Sequence, residues 1–417
     1  MKNKRVLFIN SIVGTGSTGR IISGLCSVLK ERGIDSKVCY GRGGAPDNLD
    51  TYRIGPDADV YLHGVLSRIT DKHGLYSKNV TERLIREIEE YDPDLIHLHN
   101  LHGYYLNYEL LMKRLKAMKI PVIWTLHDCW SFTGHCVHFE YAGCEKYKTG
   151  CFNCPELGQY PKSLFLDASK SNYALKKEVF TGFDKMKLIT PSFWLKERVE
   201  ESFLSCYETG VINTGIDFET FKPVESDLRT KYGIGDRVLI LGVANPWRNR
   251  KGLDDFIRLA GALSDEYKIV MIGLKKKQLS LIPKNVIALE KTDSVQEMAM
   301  WYSSADIHVN LTREDTFPTT NIESLACGTP VITYRAGGSP ESLDETCGRV
   351  IDKDDLEGVI RAIKEMGRKN EDIKKAALNR SRLYDAKDRF NEYYEKYYAQ
   401  ICLPLEGKEA PKESDEV

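Results

Sequence analysis

The sequence predicts an α/β protein with two doubly wound parallel sheets, and three observations carry this prediction. Short runs rich in Val, Ile and Leu alternate with longer amphipathic stretches, which is the pattern of βα units around a parallel sheet. The pattern runs through the first half of the chain and restarts in the second half. The length of 417 residues fits two or three domains that bury their cores without disulfides.

Five strands are predicted in the first half of the chain. Their continuous apolar character indicates burial on both faces of the sheet. They are Arg5–Asn10, Ser36–Tyr40, Asp94–His99, Val122–His127 and Lys187–Thr190. We expect these strands and the helices between them to form an N-terminal domain over residues 1–210.

The same pattern in the second half of the chain predicts another sheet, in a domain over residues 211–384. The division falls near Val211 to Val224, where Asn213-Thr214-Gly215-Ile216-Asp217 supplies turn chemistry. The predicted strands are Arg237–Val243, Lys268–Gly273, Asn285–Leu289, Asp306–Leu311 and Pro330–Tyr334.

The C-terminal end of the chain predicts one helix and a tail. Residues 385–402 carry aromatic side chains at three-to-four spacing, so one face of this helix must pack on another element. Residues 403–417 have no aromatic side chain and contain Pro, Glu, Lys and Ser, which indicates a disordered tail.

Charge and hydropathy exclude several classes of function. The chain has 59 Lys plus Arg against 60 Asp plus Glu, so no overall positive field attracts nucleic acid. No apolar run approaches the length of a membrane span, and the run Val6 to Ile9 is too short for a signal-peptide core. We therefore expect a cytoplasmic protein that does not bind nucleic acid.

A glycine-rich turn follows the first predicted strand. Gly14, Gly16 and Gly19 precede a helix whose N-terminus, with its free N–H groups, suits a phosphate or diphosphate. A tight turn without a ligand is the alternative. The turn lacks the Lys-Ser/Thr of a P-loop, and Tyr40 to Gly44 stand where a dinucleotide site would place an acidic residue.

The segment from Asn310 to Gly338 carries the strongest signal. A strand leads into a loop, and a helix opens near Thr319-Thr320-Asn321, where hydroxyl and amide side chains can cap it. Gly328 closes this helix. Asp315 and Glu323 lie eight positions apart, so one carboxylate precedes the helix and the other lies within it.

This segment resembles the signature of GT-B glycosyltransferases, in particular retaining family 4, which includes capsule, exopolysaccharide and lipopolysaccharide enzymes. The resemblance covers nearly the whole chain, and the Cys-rich stretch with Gly19-Arg20 is most similar to a colanic-acid or capsular-type subgroup. Besides the glycine-rich turn, the other matching motifs are His97–Asn100, Thr125–Asp128, Asn213–Asp217 and Arg250–Gly252.

The resemblance implies two Rossmann-like domains that face a cleft. A nucleotide-diphosphate sugar, the donor, would bind the C-terminal domain, where Glu323 accepts hydrogen bonds from the ribose hydroxyls. Asp315 would contact the donor sugar, although the adjacent Glu314 could take that part. The groups expected to contact sugar or diphosphate are Gly14, Gly16, Arg250, Phe317, Pro318, Thr319 and Thr320.

The resemblance also implies cations at the leaving diphosphate. Lys251 matches the family lysine, whereas Asn245 and Pro246 stand where the family's arginine usually lies. Arg248 or Arg250 would substitute, with a slight preference for Arg248. Preorganised cations stabilise a departing phosphate without a metal, so no catalytic metal is expected.

Histidines are implied on the N-terminal side of the cleft. His127 would lie near the donor sugar, where it orients hydroxyls or the acceptor, and His99 and Asn100 belong to the acceptor loop. A structural capping role for His127 is the alternative. The close spacing of His97, His99 and His102 also suits a metal, but the family uses this loop for the acceptor.

Four cysteines in the Cys-rich loop 129–154 have the spacing of a metal knuckle. Cys136, Cys144, Cys151 and Cys154 could hold a structural zinc ion through four thiolates, since the loop lacks a core of its own. Paired or free thiols are the alternative.

Taken together, these features predict a retaining glycosyltransferase of surface-polysaccharide assembly. The acceptor is expected to be a saccharide or a lipid-linked oligosaccharide, which implies peripheral contact with the inner face of the cell membrane. An epimerase or another GT-B activity is one alternative, and a scaffold that binds nucleotide sugars without catalysis is another.

Overall fold

The computed structural model describes the main chain of residues 3–402 and the side chains of residues 3–400. The predicted tail, residues 403–417, lies outside the described residues. Within them, two separate sheets form, and every strand pair in both is parallel. The predicted fold class, two doubly wound α/β domains, is confirmed.

The first sheet has seven strands in the order β3-β2-β1-β4-β5-β6-β7. They are β1 Arg5–Asn10, β2 Asp35–Tyr40, β3 Thr51–Arg53, β4 Leu95–Leu98, β5 Val122–Thr125, β6 Met186–Thr190 and β7 Thr209–Val211. The second sheet has six strands in the order β10-β9-β8-β11-β12-β13. They are β8 Val238–Val243, β9 Tyr267–Ile272, β10 Ile287–Leu289, β11 Ile307–Asn310, β12 Val331–Tyr334 and β13 Gly348–Ile351.

Helices cover both faces of each sheet, which explains why the central strands are apolar throughout. The first domain contains α1 Gly16–Glu31, α2 Asp57–Thr70, α3 Lys78–Tyr91, α4 Tyr108–Met118, α5 Ser169–Phe180 and α6 Phe193–Glu200. The second contains α7 Leu228–Lys231, α8 Leu253–Ala262, α9 Lys276–Leu279, α10 Val295–Ser304, α11 Thr319–Ala326, α12 Leu356–Met366 and α13 Glu371–Ser381.

The last described helical segment packs on the first domain. Helix α14 (Ala386–Tyr393) continues through a π-helical turn, Tyr394–Tyr398, into α15 (Ala399–Cys402). Tyr393, Tyr397 and Tyr398 are buried in the core that Val6, Phe8 and helix α1 also build. Among the described residues, no helix is both long and apolar enough to cross a membrane.

The strand order fixes where a ligand can bind. In each sheet the order reverses between two neighbouring central strands, β1 and β4 in the first and β8 and β11 in the second. Open parallel sheets bind ligands in the crevice beyond the carboxyl ends of such strands. Hydrogen bonds join the loops at these ends, for example from Thr316 Oγ1 to the His127 carbonyl oxygen at 3.0 Å. The two crevices therefore form one interdomain cleft.

Candidate active site

An ion pair lies on the C-terminal side of the cleft. Lys251 ends a short turn before helix α8, and its Nζ lies 2.5 Å from Asp315 Oδ2 in the loop after β11. Burial raises the pKa of Asp315, but the Lys251 ammonium outweighs it and the pKa falls below its ordinary value. The Nη1 atom of the neighbouring Arg250 lies 3.3 Å from Oε1 of the buried Glu314. Two cations and two carboxylates are thus held together.

The backbone of the Asp315 loop depends on a glycine. Gly337 has φ +56°, and a Cβ at this position would lie 1.9 Å from the Asp315 carbonyl oxygen. The next residue, Gly338, donates its N–H to that oxygen at 2.9 Å. A side chain at Gly337 would therefore displace the loop that carries the carboxylate.

Glu323 lies on helix α11 at the edge of an interdomain cavity of about 320 Å³. Its Oε2 accepts a hydrogen bond from the Tyr302 hydroxyl at 3.0 Å. Burial raises the pKa of Glu323, and the Arg20 guanidinium from the other domain opposes that rise. Thr319, Ser17 and Arg20 line the same cavity, so both domains contribute to it.

The start of helix α11 differs from the sequence prediction. The helix begins at Thr319, as expected, but Pro318 occupies the capping position and no described side chain caps it. Asn321, a predicted cap, is buried and bonds Asn310 and Ser342 instead. The capping prediction was wrong because a buried amide network holds Asn321 away from the helix end. The first N–H groups of the helix are consequently left without a side-chain partner.

The glycine-rich turn faces this helix from the first domain. Gly14 and Gly16 have φ +71° and +65°, a conformation that favours glycine. Helix α1 begins at Gly16, and no described side chain caps it either. Two helix N-termini from opposite domains therefore border the cleft, and both favour an anion.

His127, just after β5, is held by a second histidine. Its Nε2 lies 2.9 Å from His99 Nδ1, and the two rings are stacked with centroids 5.2 Å apart. Burial lowers the pKa of His127 to about 4, so this imidazole is neutral near pH 7. The backbone N–H of Asn100 donates to Asn10 Oδ1 at 3.2 Å, which ties the loop after β4 to the end of β1. The structure thus brings His99 and His127 into contact, and Asn100 follows His99 in the same loop.

The two candidate arginines occupy different environments. Arg248 is exposed, and its Nη1 lies 3.2 Å from Gln159 Oε1 of the first domain. Arg250 is half-buried beside Glu314, next to the Lys251–Asp315 pair. This arrangement favours Arg250 over Arg248 as the partner of Lys251.

Sequence reasoning missed three side chains at the cleft: His138, Arg20 and Tyr302. His138 belongs to the Cys-rich loop, where Tyr141 N donates to Glu314 Oε2 at 3.0 Å across the cleft. Burial lowers the pKa of His138, and its Nδ1 is buried with no partner among the described residues. Arg20 and Tyr302 are near Glu323 only in the folded chain. No spacing motif marks His138 or Tyr302, and Arg20 appears in the glycine-rich motif without a predicted contact to Glu323.

The four cysteines of the predicted zinc site line one small cavity. The Cys136 thiol donates to Cys154, which lowers the pKa of Cys154 to about 7. Within residues 3–400, however, no three or more His, Cys, Asp or Glu side chains are grouped as a metal site. The zinc site stays a prediction.

The buried Lys176 holds the Cys-rich loop as well, with its Nζ 2.6 Å from the Trp130 carbonyl oxygen.

Comparison with known proteins finds several curated relatives. One, from Escherichia coli (strain K12), carries the name colanic acid biosynthesis glycosyl transferase WcaC and is 28% identical over 275 residues, which are 63% of this chain and 65% of the relative. The alpha-galactosylglucosyldiacylglycerol synthase of Streptococcus pneumoniae (strain ATCC BAA-255 / R6) is 25% identical over 57% of this chain and 65% of its own length. The chain thus spans slightly less than two thirds of these relatives.

The fold is shared with solved structures, among them a glycosyltransferase from Rickettsia africae ESF-5, which has a TM-score of 0.66 at 13% identity over 96% of this chain and 99% of that chain. HepE from Anabaena, in complex with UDP-glucose, has a TM-score of 0.63 at 14% identity, over 95% of this chain and 99% of that chain. Family models match both domains: "Glycosyltransferase Family 4" matches residues 18–220, and "Glycosyl transferases group 1" matches residues 236–368. With two parallel-sheet domains around one cleft, the chain belongs to the GT-B glycosyltransferases of family 4.

Proposed function

We propose that the protein is a retaining glycosyltransferase that moves a sugar from a nucleotide-diphosphate sugar to a saccharide acceptor in surface-polysaccharide biosynthesis. The proposal is carried by the Lys251–Asp315 ion pair and by the helix that follows the Asp315 loop, on which Glu323 lines an interdomain cavity. Cations suit a diphosphate, and the two carboxylates suit sugar and ribose hydroxyls.

The diphosphate would be bound by positive charge from four groups. Lys251 and Arg250 supply cations, and the N-termini of α1 and α11 supply N–H groups that have no side-chain cap among the described residues. Charge develops on the diphosphate as the glycosidic bond breaks, and fixed cations and dipoles stabilise that charge. The backbone groups of Phe317, Pro318, Thr319 and Thr320 would contact the sugar and diphosphate.

The donor nucleoside would occupy the cavity beside Glu323. A carboxylate accepts two hydrogen bonds from adjacent ribose hydroxyls, and Tyr302 holds Glu323 in place for this contact. HepE, of the same fold, binds UDP-glucose, which supports a nucleotide sugar as the donor.

The acceptor would approach from the first domain, past His99, Asn100 and His127. Since His127 is neutral, it can donate or accept a hydrogen bond with a sugar hydroxyl at physiological pH. In the retaining mechanism proposed for the family, the acceptor attacks the face from which the diphosphate leaves, and a phosphate oxygen takes its proton. This mechanism needs no protein base and no catalytic metal.

We further propose that the acceptor is a lipid-linked oligosaccharide at the inner face of the cell membrane, and that the enzyme is cytoplasmic. The names of the two curated relatives support this class of product. One is a colanic acid biosynthesis enzyme, and the other is a synthase of a glycosylated diacylglycerol.

The experiment has two stages. A thermal-shift screen of UDP-, GDP-, dTDP- and ADP-sugars identifies the donor, because a ligand that binds the native state raises the melting temperature. Transfer from that donor to an alcohol acceptor, with retained anomeric configuration in the product, supports the proposal. Release of a free epimerised sugar would favour the epimerase alternative. Binding without turnover on any lipid-linked acceptor would favour the scaffold.

A further inference from the structure

Helix α2 carries apolar side chains on its solvent face. Tyr61, Leu62 and Ile69 are 75%, 56% and 43% exposed, and Val65 and Leu66 between them are partly exposed. The spacing places these side chains on adjoining turns, one above another. A helix in a water-soluble domain normally turns such a face toward the core.

A second apolar segment lies beside this helix. Leu164, Phe165 and Leu166 are consecutive and are 52%, 78% and 54% exposed. The backbone N–H of Leu164 donates to the Arg68 carbonyl oxygen of α2 at 2.7 Å, so the two segments are joined. We call the six most exposed side chains, Tyr61, Leu62, Ile69, Leu164, Phe165 and Leu166, the apolar surface.

Exposed basic side chains lie in or next to the two segments that form the apolar surface. Arg68 is on α2 and Lys72 follows it, and Lys162 and Lys170 flank Leu164–Leu166. The two nearby exposed carboxylates are engaged with the protein itself. Asp57 pairs with Arg53, and Asp167 accepts the backbone N–H groups of Cys154 and Ser169, both at 2.8 Å. Exposed apolar groups with a basic rim suit an anionic lipid surface.

The apolar surface is also connected to the acceptor side of the cleft. Tyr160, four residues before Leu164, has its hydroxyl 3.1 Å from His102 Nδ1. His102 Nε2 lies 2.8 Å from Asp128, the residue after His127. A membrane against the apolar surface would therefore lie beside the entrance through which we propose that a lipid-linked acceptor reaches His127.

We propose that the apolar surface docks on an anionic phospholipid membrane, with Phe165 and its neighbours inserted among the headgroups and the basic rim against lipid phosphates. The inference rests on the proposed function in one respect only, which is the route by which a lipid-linked acceptor would reach the cleft. Docking itself follows from the exposed apolar groups and the charges around them.

The test is co-sedimentation with vesicles of phosphatidylcholine mixed with phosphatidylglycerol, compared with vesicles of phosphatidylcholine alone. The wild-type chain should sediment with the mixed vesicles and much less with the neutral ones. Replacing Leu164, Phe165 and Leu166 together by Ser should lower the partition coefficient about tenfold or more, because each large apolar side chain contributes to insertion. Arg68→Glu with Lys72→Glu should abolish the preference for anionic lipid.

The matched control is Leu281→Ser, because Leu281 is 59% exposed on the other domain. This variant should bind vesicles like the wild type. The melting temperature and donor affinity of every variant should match the wild type, which separates loss of docking from misfolding and from failure of the proposed transfer activity. Unchanged vesicle binding by the triple Ser variant would overturn the proposal. So would a dimer in solution that this variant converts to a monomer, since the apolar surface would then join two copies.

Discussion

The Lys251 ammonium and the Asp315 carboxylate are 2.5 Å apart, and the Asp315 pKa is correspondingly low. A diphosphate that binds beside them brings negative charge to a cation whose geometry is already fixed. Preorganisation of this kind lowers the cost of binding, because little side-chain freedom remains to be lost. The same pair holds Asp315 where a donor sugar would present its hydroxyls.

The Glu323 carboxylate leads to a prediction about nucleotide affinity. Glu323→Gln keeps one acceptor oxygen and loses the charge, so the affinity for a nucleoside diphosphate should fall about tenfold. The preference for a ribose over a 2′-deoxyribose nucleotide should shrink as well. Titration calorimetry with both nucleotides measures the two effects. Glu357→Gln, at an exposed position of α12, is the control. An unchanged ribose preference in Glu323→Gln would contradict the assigned role.

Much of this site could be predicted from the sequence, since Asp315, Glu323 and Lys251 lie in motifs with fixed spacing. His138, Arg20 and Tyr302 could not, because only the packing of distant segments brings them to the cleft. The choice between Arg248 and Arg250 likewise depends on contacts, since both follow the same strand and differ only in which neighbours they meet.

The sequence predicted the β-strands correctly where a strand is long and apolar. All ten predicted strands are present, with bounds that shift by up to two residues. The three missed strands are β3, β7 and β13, which contain polar residues or glycine and lie at or toward the edges of their sheets. Pairing with a neighbouring strand, not their own hydrophobic pattern, determines their conformation.

Helix α6 carries a contact between the domains that leads to a second prediction. Both carboxylate oxygens of Glu341 accept backbone N–H groups at the start of α6, from Phe193 and Trp194, at 2.8 Å each. Glu341→Ala should lower the free energy of unfolding by about 1 to 2 kcal/mol, since these N–H groups and the helix dipole lose a charged partner. Urea unfolding measures the change.

The control for this contact is Glu345→Ala, because Glu345 is exposed close by in the same loop. It should leave the unfolding free energy within experimental error of the wild type. Equal stability of Glu341→Ala and Glu345→Ala would show that the carboxylate at the start of α6 does not stabilise the protein.

The Cys-rich loop gives a third prediction. If its four thiols close around a metal, the purified protein should contain about one zinc ion per chain, as a four-thiolate structural site requires. Cys151→Ala should then lose the metal and lower the melting temperature, whereas Cys206→Ala, at an exposed cysteine outside the loop, should do neither. Zinc content near zero with all thiols free would refute the zinc prediction.

Across the whole molecule, the lowered pKa values of buried histidines determine how stability depends on pH. Burial lowers the pKa of His127 to about 4 and of His63 to about 3, and it takes the pKa values of His73, His97 and His99 well below their ordinary range. In the unfolded chain each would titrate near pH 6.5. The native state therefore binds fewer protons than the unfolded state below that pH.

It follows that the histidine contribution to stability is fully present above about pH 6.5 and is lost as the pH falls. Each of these histidines should lower the unfolding free energy by up to about 1.4 kcal/mol per pH unit over this window. Urea unfolding at pH 7.5 and at pH 5 is the measurement. An unfolding free energy at pH 5 that equals or exceeds the value at pH 7.5 would contradict the buried, neutral state of these five histidines.

The two-domain architecture brings the loops of two sheets to one cleft. Each sheet places these loops at the carboxyl ends of its strands, so the donor and the acceptor of the proposed transfer would meet between the domains. The C-terminal helix returns to the first domain and packs Tyr393, Tyr397 and Tyr398 into its core.

In the proposed function this cleft binds a nucleotide-diphosphate sugar through Lys251. Titration calorimetry with the donor found in the thermal-shift screen measures this contact, using the wild type, Lys251→Ala and the control Lys364→Ala, whose lysine is exposed on α12. We predict that Lys251→Ala raises the Kd at least about tenfold, because a charge-assisted phosphate contact is lost, and that Lys364→Ala leaves it unchanged. Equal Kd values for the wild type and Lys251→Ala would contradict the account.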